Sequence, residues 1–291
     1  MHSYLRSIGF KNITKEKFDE LIYEIEKHPD SHEAAIDSEE NEYVEMRLEV
    51  APNVGIAIRG LYNEMDEFQL DYYYPYCCSG ISSTDADTEI IKQSDKECYQ
   101  GISDEPKLGV NLIFYLQNMM EFLQSPKKQR KYDSFRGIEL SGLSLSGKIL
   151  LPIYKSEKQV KNTKQSNQDR NLLVAAAREG DEEAIENLTL EDMDTYSMIT
   201  KRIKDEDVLS IVSTSFMPYG IESDKYTVLG EITKVSQIVN EISMEDIYLM
   251  EITSNDLNFV VCINKEDLFG EPEVGRRFKG DVWMQGTVDF M

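Results

Sequence analysis

The stretch R-R-F-K-G-D-V-W-M-Q-G-T-V-D-F, residues 276–290, decides the fold because its apolar residues recur at every second position. That period places one set of side chains on a single face of an extended strand: Phe278, Val282, Met284, Val288 and Phe290. Gly280 and Gly286 share this face, and glycine inside a strand indicates a bulge or a sharp bend. The other face is expected to be polar, although it carries Trp283, the only tryptophan. The stretch therefore predicts a half-buried strand.

This strand closes a C-terminal module, residues 221–291, in which several strand patterns follow one another. Three strands are predicted before it, at 226–239, 247–253 and 257–264, with a short loop or helical turn at 265–269. Short strands with a connector between the third and the fourth resemble an OB-fold, a small Greek-key barrel. The module is therefore predicted to be an OB-like β-barrel.

The first half of the chain, residues 1–154, is predicted to be an α+β sandwich domain, in which helices pack on an antiparallel sheet. Along this half we expect a helix at 14–27, a loop at 28–41, strands at 43–50, 54–60 and 67–76, a long amphipathic helix at 104–126, and a strand pattern at 138–154. The chain as a whole is therefore predicted to be an α+β protein.

Two further segments separate the sandwich domain from the C-terminal module. Residues 155–170 contain one aliphatic side chain and cannot bury themselves, so they are predicted to be a flexible linker. Residues 171–220 are predicted to be a small helical segment. Its helices are expected at 171–179, 182–188, 190–204 and 208–213; Thr189 is expected to start the third through a capping box, and Asp207 to cap the fourth.

Charge and composition bound the function classes. The 291 residues carry a formal net charge of −23, and such a surface repels phosphate backbones and anionic lipid. The sequence therefore disfavours nucleic-acid and membrane binding. The first residues lack the basic flank and apolar run of a signal peptide, and four cysteines do not form a disulfide framework. We expect a cytoplasmic protein.

The motifs with known chemistry do not support an enzyme. G-L-S-L-S-G-K-I, residues 142–149, follows most of the phosphate-loop pattern, but Ile149 stands where the pattern needs Ser or Thr, and a strand pattern continues after it. His28 and His32, with Cys77, Cys78 and Cys98, could supply metal ligands, but no C-x-x-C is present and only the H-x-x-x-H pairing has a usable spacing. The acidic run at 85–89 lacks the glycine of a calcium loop. The sequence predicts no metal and no cofactor, and no residue is singled out as catalytic.

Two aromatic sets are the candidate ligand or partner surfaces. The first is a row that follows Phe68 along one strand: Tyr72, Tyr74 and Tyr76. Such a row can line a groove, but it is more often a sheet face packed under a helix.

The second set belongs to the C-terminal module and combines one aromatic residue with basic ones: Trp283, Arg276, Arg277 and Lys279. Aromatic and basic residues on an OB strand can hold a single strand of nucleic acid. Residues 226–291 nevertheless carry five basic against twelve acidic residues, which favours a shielded tryptophan or a protein contact.

Three runs resemble an uncharacterised bacterial family of domains of unknown function, DUF3881, from anaerobic Gram-positive bacteria. They are M-H-S-Y-L-R-S-I-G-F at 1–10, L-T-L-E-D-M-D-T-Y-S-M-I-T-K-R-I at 188–203 and G-E-P-E-V-G-R-R-F-K-G-D-V-W-M-Q-G at 270–286. The resemblance covers nearly the whole chain and implies a cytoplasmic bacterial setting and one architecture. It implies no activity, cofactor or catalytic residue.

Three functional hypotheses follow from the sequence. The favoured one is a non-catalytic binding or adaptor protein that holds a protein partner through the sheet of the first domain and the OB-like module. The first alternative is an enzyme of unknown reaction that uses carboxylates, with a divalent cation at residues 85–89. The second alternative is single-stranded nucleic-acid binding by the OB-like module through Trp283.

Overall fold

The computed structural model has a mixed α+β architecture with two β-sheets, which confirms the predicted class. It describes residues 1–93, 97–108, 110–125, 135–153, 166, 169–170, 172–177, 180–202, 207–221 and 223–290. The predicted linker at 155–170 lies almost entirely outside these residues.

The smaller sheet is an antiparallel meander of four strands. They are β1 (Ser31–Ile36), β2 (Glu42–Ala51), β3 (Val54–Tyr62) and β4 (Phe68–Cys77), hydrogen-bonded in chain order. The three strands predicted in this region are confirmed as β2, β3 and β4. The loop predicted at 28–41 is wrong because β1 lies within it and pairs with β2 from Ser31 to Ile36.

The first helix covers this part of the protein. It is α1 (Lys15–Lys27), and the hydroxyl of Thr14 caps it by accepting from the Lys17 amide at 3.4 Å. Its buried stripe of Phe18, Leu21 and Ile25 joins the core between the two sheets. The spacing of these three residues is what predicted the helix.

The larger sheet contains ten strands. They are β5 (Thr88–Lys92), β6 (Tyr99–Ser103), β7 (Leu112–Leu116), β8 (Arg136–Leu150), β9 (Ser215–Pro218), β10 (Lys225–Val239), β11 (Asp246–Ser254), β12 (Leu257–Asn264), β13 (Leu268–Phe269) and β14 (Arg277–Asp289). The four strands predicted in the C-terminal module are β10, β11, β12 and β14, and the short strand β13 lies within the connector predicted at 265–269.

Strand β8, from the first half of the chain, pairs with strands of the C-terminal module. It pairs with β12 in parallel and with β14 in antiparallel register, while β14 also pairs with β10. The pairings therefore lead from β10 through β11, β12, β8 and β14 back to β10. Hydrogen bonds thus join residues 1–154 to residues 221–291, and the division of the chain into separate domains stays a prediction.

The alternation in β14 has the predicted inner face but not the predicted outer one. Its five apolar residues are all buried in one core cluster: Phe278, Val282, Met284, Val288 and Phe290. The register shifts between Gly280 and Val282, as the glycine predicted. The expectation of a polar outer face is wrong at Trp283 and Gln285, because both are buried: the rings of His2 and Tyr4 lie against Trp283, and Gln285 donates to the Pro75 carbonyl of β4.

The predicted helix at 104–126 is also wrong, since Leu112–Leu116 is the strand β7 and only α2 (Met119–Gln124) is helical there. Beyond it lie α3 (Glu182–Arg202) and α4 (Val208–Ile211), and residues 172–177 are helical as well. The predicted break at Thr189 is absent, because its hydroxyl donates to the Ile185 carbonyl at 2.8 Å within the continuous helix α3.

Candidate functional site

The two aromatic sets predicted as separate surfaces meet between the sheets. The ring of Tyr74 on β4 lies 4.7 Å from that of Tyr115 on β7, and Tyr115 lies 5.4 Å from Trp283 on β14. Tyr74 and Tyr76 are buried, Tyr72 is half-buried, and Trp283 is only 5% exposed. These rings therefore contribute to the packing of one sheet on the other.

The three basic residues predicted beside Trp283 do not share its environment. Arg277 is buried and donates to the carbonyls of Leu151 and Val212, each at 3.0 Å. Arg276 is half-buried and pairs with Glu273 at 2.9 Å. Lys279 is half-buried and lies in a surface cleft. The predicted set is therefore divided between the interior and two parts of the surface.

Two N-terminal residues that no sequence pattern singled out, His2 and Tyr4, cover Trp283. The ring of His2 lies 4.9 Å from the indole, and that of Tyr4 lies 5.2 Å from it. The indole nitrogen donates to Asp224 at 2.9 Å. Burial, together with the nearby ammonium of Lys225, lowers the pKa of His2 to about 4. His2 is therefore neutral at physiological pH and serves as an aromatic cover.

A buried ion pair lies beside these rings. The guanidinium of Arg59 contacts Glu45, and Arg59 also donates to the hydroxyls of Tyr115 at 2.8 Å and Tyr74 at 3.0 Å. Arg47 reaches the second oxygen of Glu45 at 2.6 Å. Burial would raise the pKa of Glu45, but the two guanidinium groups lower it below its ordinary value.

This interior cluster has the character of a structural network. Arg59 uses donors on both Nη atoms, Glu45 accepts at both oxygens, and both residues are fully enclosed. Neither Arg59 nor Glu45 lines any of three surface cavities formed by described residues. A buried charge pair that is hydrogen-bonded at every side fixes one arrangement of the sheets.

Carboxylates and metal ligands do not converge in the described part of the chain. No group of three His, Cys, Asp or Glu side chains there is placed to hold a metal ion. In the acidic run at 85–89, Asp87 accepts from Arg136 on β8 at 2.8 Å. The four cysteines are free thiols.

The exposed feature that stands out is α3. Its large apolar side chains lie in solvent, with Met193 at 64% and Tyr196 at 74% exposure, and Ile185 is also exposed. These three positions fall within about 80° of one another around a helix of 100° per residue, while Leu190 and Met198, each 54% exposed, lie outside this arc. Among its described side chains only Ala184 is buried.

Acidic residues surround this apolar stripe. Residues 180–202 contain seven acidic residues and two basic ones, and the two basic ones, Lys201 and Arg202, end the helix. The apolar spacing of Ile185, Met193 and Tyr196 was available in the sequence. It was missed because the helix was divided at Thr189, which separated Ile185 from the other two.

Comparison with known proteins gives a match to one family model. Residues 5–286 match the family model DUF3881, described as a domain of unknown function with an E. rectale gene description. No curated protein and no solved structure matched the chain. Within the described residues, no helix is long and apolar enough to cross a membrane.

Proposed function

Because the chain belongs to DUF3881, a family of unknown function, its role has to be inferred from its own surfaces, and we propose that it is a non-catalytic binding or adaptor protein. It holds a protein partner through the apolar stripe of α3, defined by Ile185, Met193 and Tyr196. We place this activity in the bacterial cytoplasm, in keeping with the acidic surface and the reduced cysteines.

The observation that carries the proposal is the exposure of this stripe along a helix of 21 residues. Most of the stability of a protein helix comes from packing its amphipathic face, and α3 has little such packing of its own. An amphipathic helix that lays its apolar face into a groove is a common mode of protein recognition. The partner then supplies the packing that α3 lacks.

Charge complementarity indicates what kind of partner fits. The seven acidic residues around the stripe favour an apolar groove with a basic rim. A second copy of this chain is disfavoured, because each copy carries a net charge of −23 and would bring like charges together.

The rest of the protein serves as a rigid support, and we assign its C-terminal part to the OB-like class. Taken in the order β10, β11, β12, β14 and β8, the pairings follow the strand order 1-2-3-5-4 of such a barrel. The fifth strand comes from earlier in the chain. Since Trp283 is buried, the nucleic-acid alternative gains no stacking surface from it.

The test compares two matched double variants in a native lysate. Met193→Ser/Tyr196→Ser removes the stripe, and Met65→Ser/Tyr23→Ser removes one exposed methionine and one exposed tyrosine elsewhere. We expect the first variant to lose a discrete, nuclease-resistant protein that the wild type and the control retain. We also expect the amount of partner recovered with the wild type to fall as the salt rises from about 0.1 M to about 0.5 M, because salt screens the attraction between the acidic residues of α3 and the basic rim.

A partner that the stripe variant retains in full would contradict the proposal. Nuclease-sensitive recovery would contradict it as well, and would favour nucleic-acid binding. Circular dichroism of both variants has to match that of the wild type, since all four replaced side chains are exposed and make little contribution to the fold.

A further inference from the structure

A surface cleft at the junction of β8, β13 and β14 has a composition unlike the rest of this acidic protein. It measures about 380 Å³ and is lined by Ser146, Gly147, Lys148, Thr227, Phe269, Lys279, Gly280 and Asp281. Clefts of about 300 Å³ and above are large enough to hold a small organic ligand. The cleft lies far from α3 in the chain and does not involve the proposed partner surface.

Two lysines face each other across this cleft. Lys148 on β8 and Lys279 on β14 are direct partners in the antiparallel register, so their side chains leave the sheet on the same face. Like charges directly opposite one another destabilise a strand pair. Neither ammonium forms an ion pair with a described residue, and an anion between them would relieve the repulsion.

An exposed aromatic ring completes the row. Phe269 on β13 is the register partner of Lys148, and it is 81% exposed. The row across three neighbouring strands is therefore Phe269, Lys148 and Lys279. A planar ligand that stacks on this exposed ring would cover it.

Two glycines set the packing beneath the cleft. A Cβ on Gly147 would lie 2.3 Å from the ring of Phe278, and a Cβ on Gly280 would lie 2.6 Å from the same ring. Because Phe278 is fully buried, both positions face the core, and the glycines let the strands pack closely over that ring. At the edge of the cleft Asp281 accepts from the Thr227 hydroxyl at 2.6 Å, so its carboxylate is already engaged.

We propose that this cleft binds a mononucleotide, with the base stacked on Phe269 and the phosphate held between Lys148 and Lys279. Lysine binds phosphate as a point charge, and two ammonium groups outweigh the single carboxylate of Asp281. The stretch 142–149 resembles a phosphate loop, but it is extended in β8 and presents no helix N-terminus. The net charge of −23 disfavours a long nucleic acid, whereas a single nucleotide contacts only the cleft.

The experiment titrates AMP, adenosine and inorganic phosphate into the full chain at about 50 mM salt, with isothermal calorimetry as the readout. AMP is expected to bind more tightly than adenosine or inorganic phosphate alone. Lys148→Ala/Lys279→Ala is expected to weaken AMP about tenfold or more, because hydrogen bonds to charged groups are lost. Phe269→Ala is expected to weaken AMP and leave phosphate unchanged.

Lys234→Ala is the matched control, because Lys234 is an exposed lysine of β10 that pairs with Glu251 outside the cleft. It is expected to bind AMP as the wild type does. The assignment is overturned if AMP shows no heat at about 1 mM, or if the double lysine variant binds it as well as the control does. Phosphate binding as tight as that of AMP would also overturn it, since the ring would then have no part in recognition.

Discussion

The buried pair of Glu45 and Arg59 provides the sharpest test of how the two sheets are held together. Replacing Glu45 by Gln leaves the Arg59 charge in the core without a counter-ion. At an effective dielectric constant of about 20 and a charge separation of about 4 Å, the lost attraction is about 4 kcal/mol. Breaking a buried pair from one side costs about 3–5 kcal/mol, so we expect that loss in the free energy of unfolding.

Urea unfolding followed by tryptophan fluorescence measures this loss directly. Trp283 is the only tryptophan and lies 5.4 Å from Tyr115, whose hydroxyl accepts from Arg59 at 2.8 Å. Glu49→Gln on the same strand β2 is the matched control, because Glu49 is exposed, and it should change the stability by less than about 0.5 kcal/mol.

The double variant Glu45→Met/Arg59→Met distinguishes the interaction between the two charges from the cost of burying each charge alone. Because both charges leave the core together, the double variant should be less destabilised than the sum of the single variants Glu45→Met and Arg59→Met, by about 2 kcal/mol. Additive effects would refute the interpretation that the two charges compensate each other. So would a Glu45→Gln variant as stable as the control.

The pH dependence of the same pair has a defined sign. Since the two guanidinium groups lower the pKa of Glu45, the folded state releases its proton more readily than the unfolded state does. The stabilisation is therefore complete above the unfolded pKa of about 4.3 and is lost as the pH falls through the lower folded pKa. The stability difference between the wild type and Glu45→Gln should shrink below about pH 4.

Two further predictions concern residues that hold the sheets in place. Burial lowers the pKa of His2 from 6.5 to about 4, so between these pH values the unfolded chain binds a proton that the folded chain does not. The free energy of unfolding therefore falls by about 1–2 kcal/mol from pH 7.5 to pH 5. In thermal melts His2→Phe should remove this loss, and His32→Phe, at an exposed site, should retain it. Gly101→Ala places a Cβ 2.2 Å from the buried ring of Phe114 and should lower the free energy of unfolding in urea by about 1–3 kcal/mol. The double variant Gly101→Ala/Phe114→Leu should recover part of this loss. An unchanged unfolding midpoint for Gly101→Ala would contradict this packing.

Local periodicity predicted the parts of the fold that depend on one buried face. The inner face of β14 and the strands β2, β3 and β4 follow from alternation, and α1 follows from the spacing of its apolar stripe. Strand β7 could not be found this way, because Leu112–Leu116 is apolar at every position and is buried on both faces. Its apolar spacing fits a helix as well as a strand.

Contacts between distant segments account for the rest. Alternation in β14 indicates one apolar face but says nothing of what covers the other. There Gln285 accepts from Gln117 at 2.7 Å and donates to the Pro75 carbonyl of β4 at 2.9 Å. The neighbours of β8 are strands more than one hundred residues further along the chain, and no local pattern specifies such a pairing. Lys148 and Lys279 in the cleft become neighbours only because β8 pairs with β14 in this register.

The central claim, that the apolar stripe of α3 binds a protein partner, is tested most directly by site-specific photo-crosslinking in cells. A benzophenone side chain is placed at Tyr196 and, in a second strain, at Asp194. Two residues along a helix point in different directions, so these positions report opposite sides of α3. We expect one discrete adduct from position 196, absent from position 194 and lost when Met193→Ser is added. Equal adducts from both positions, or none from position 196, would contradict the claim.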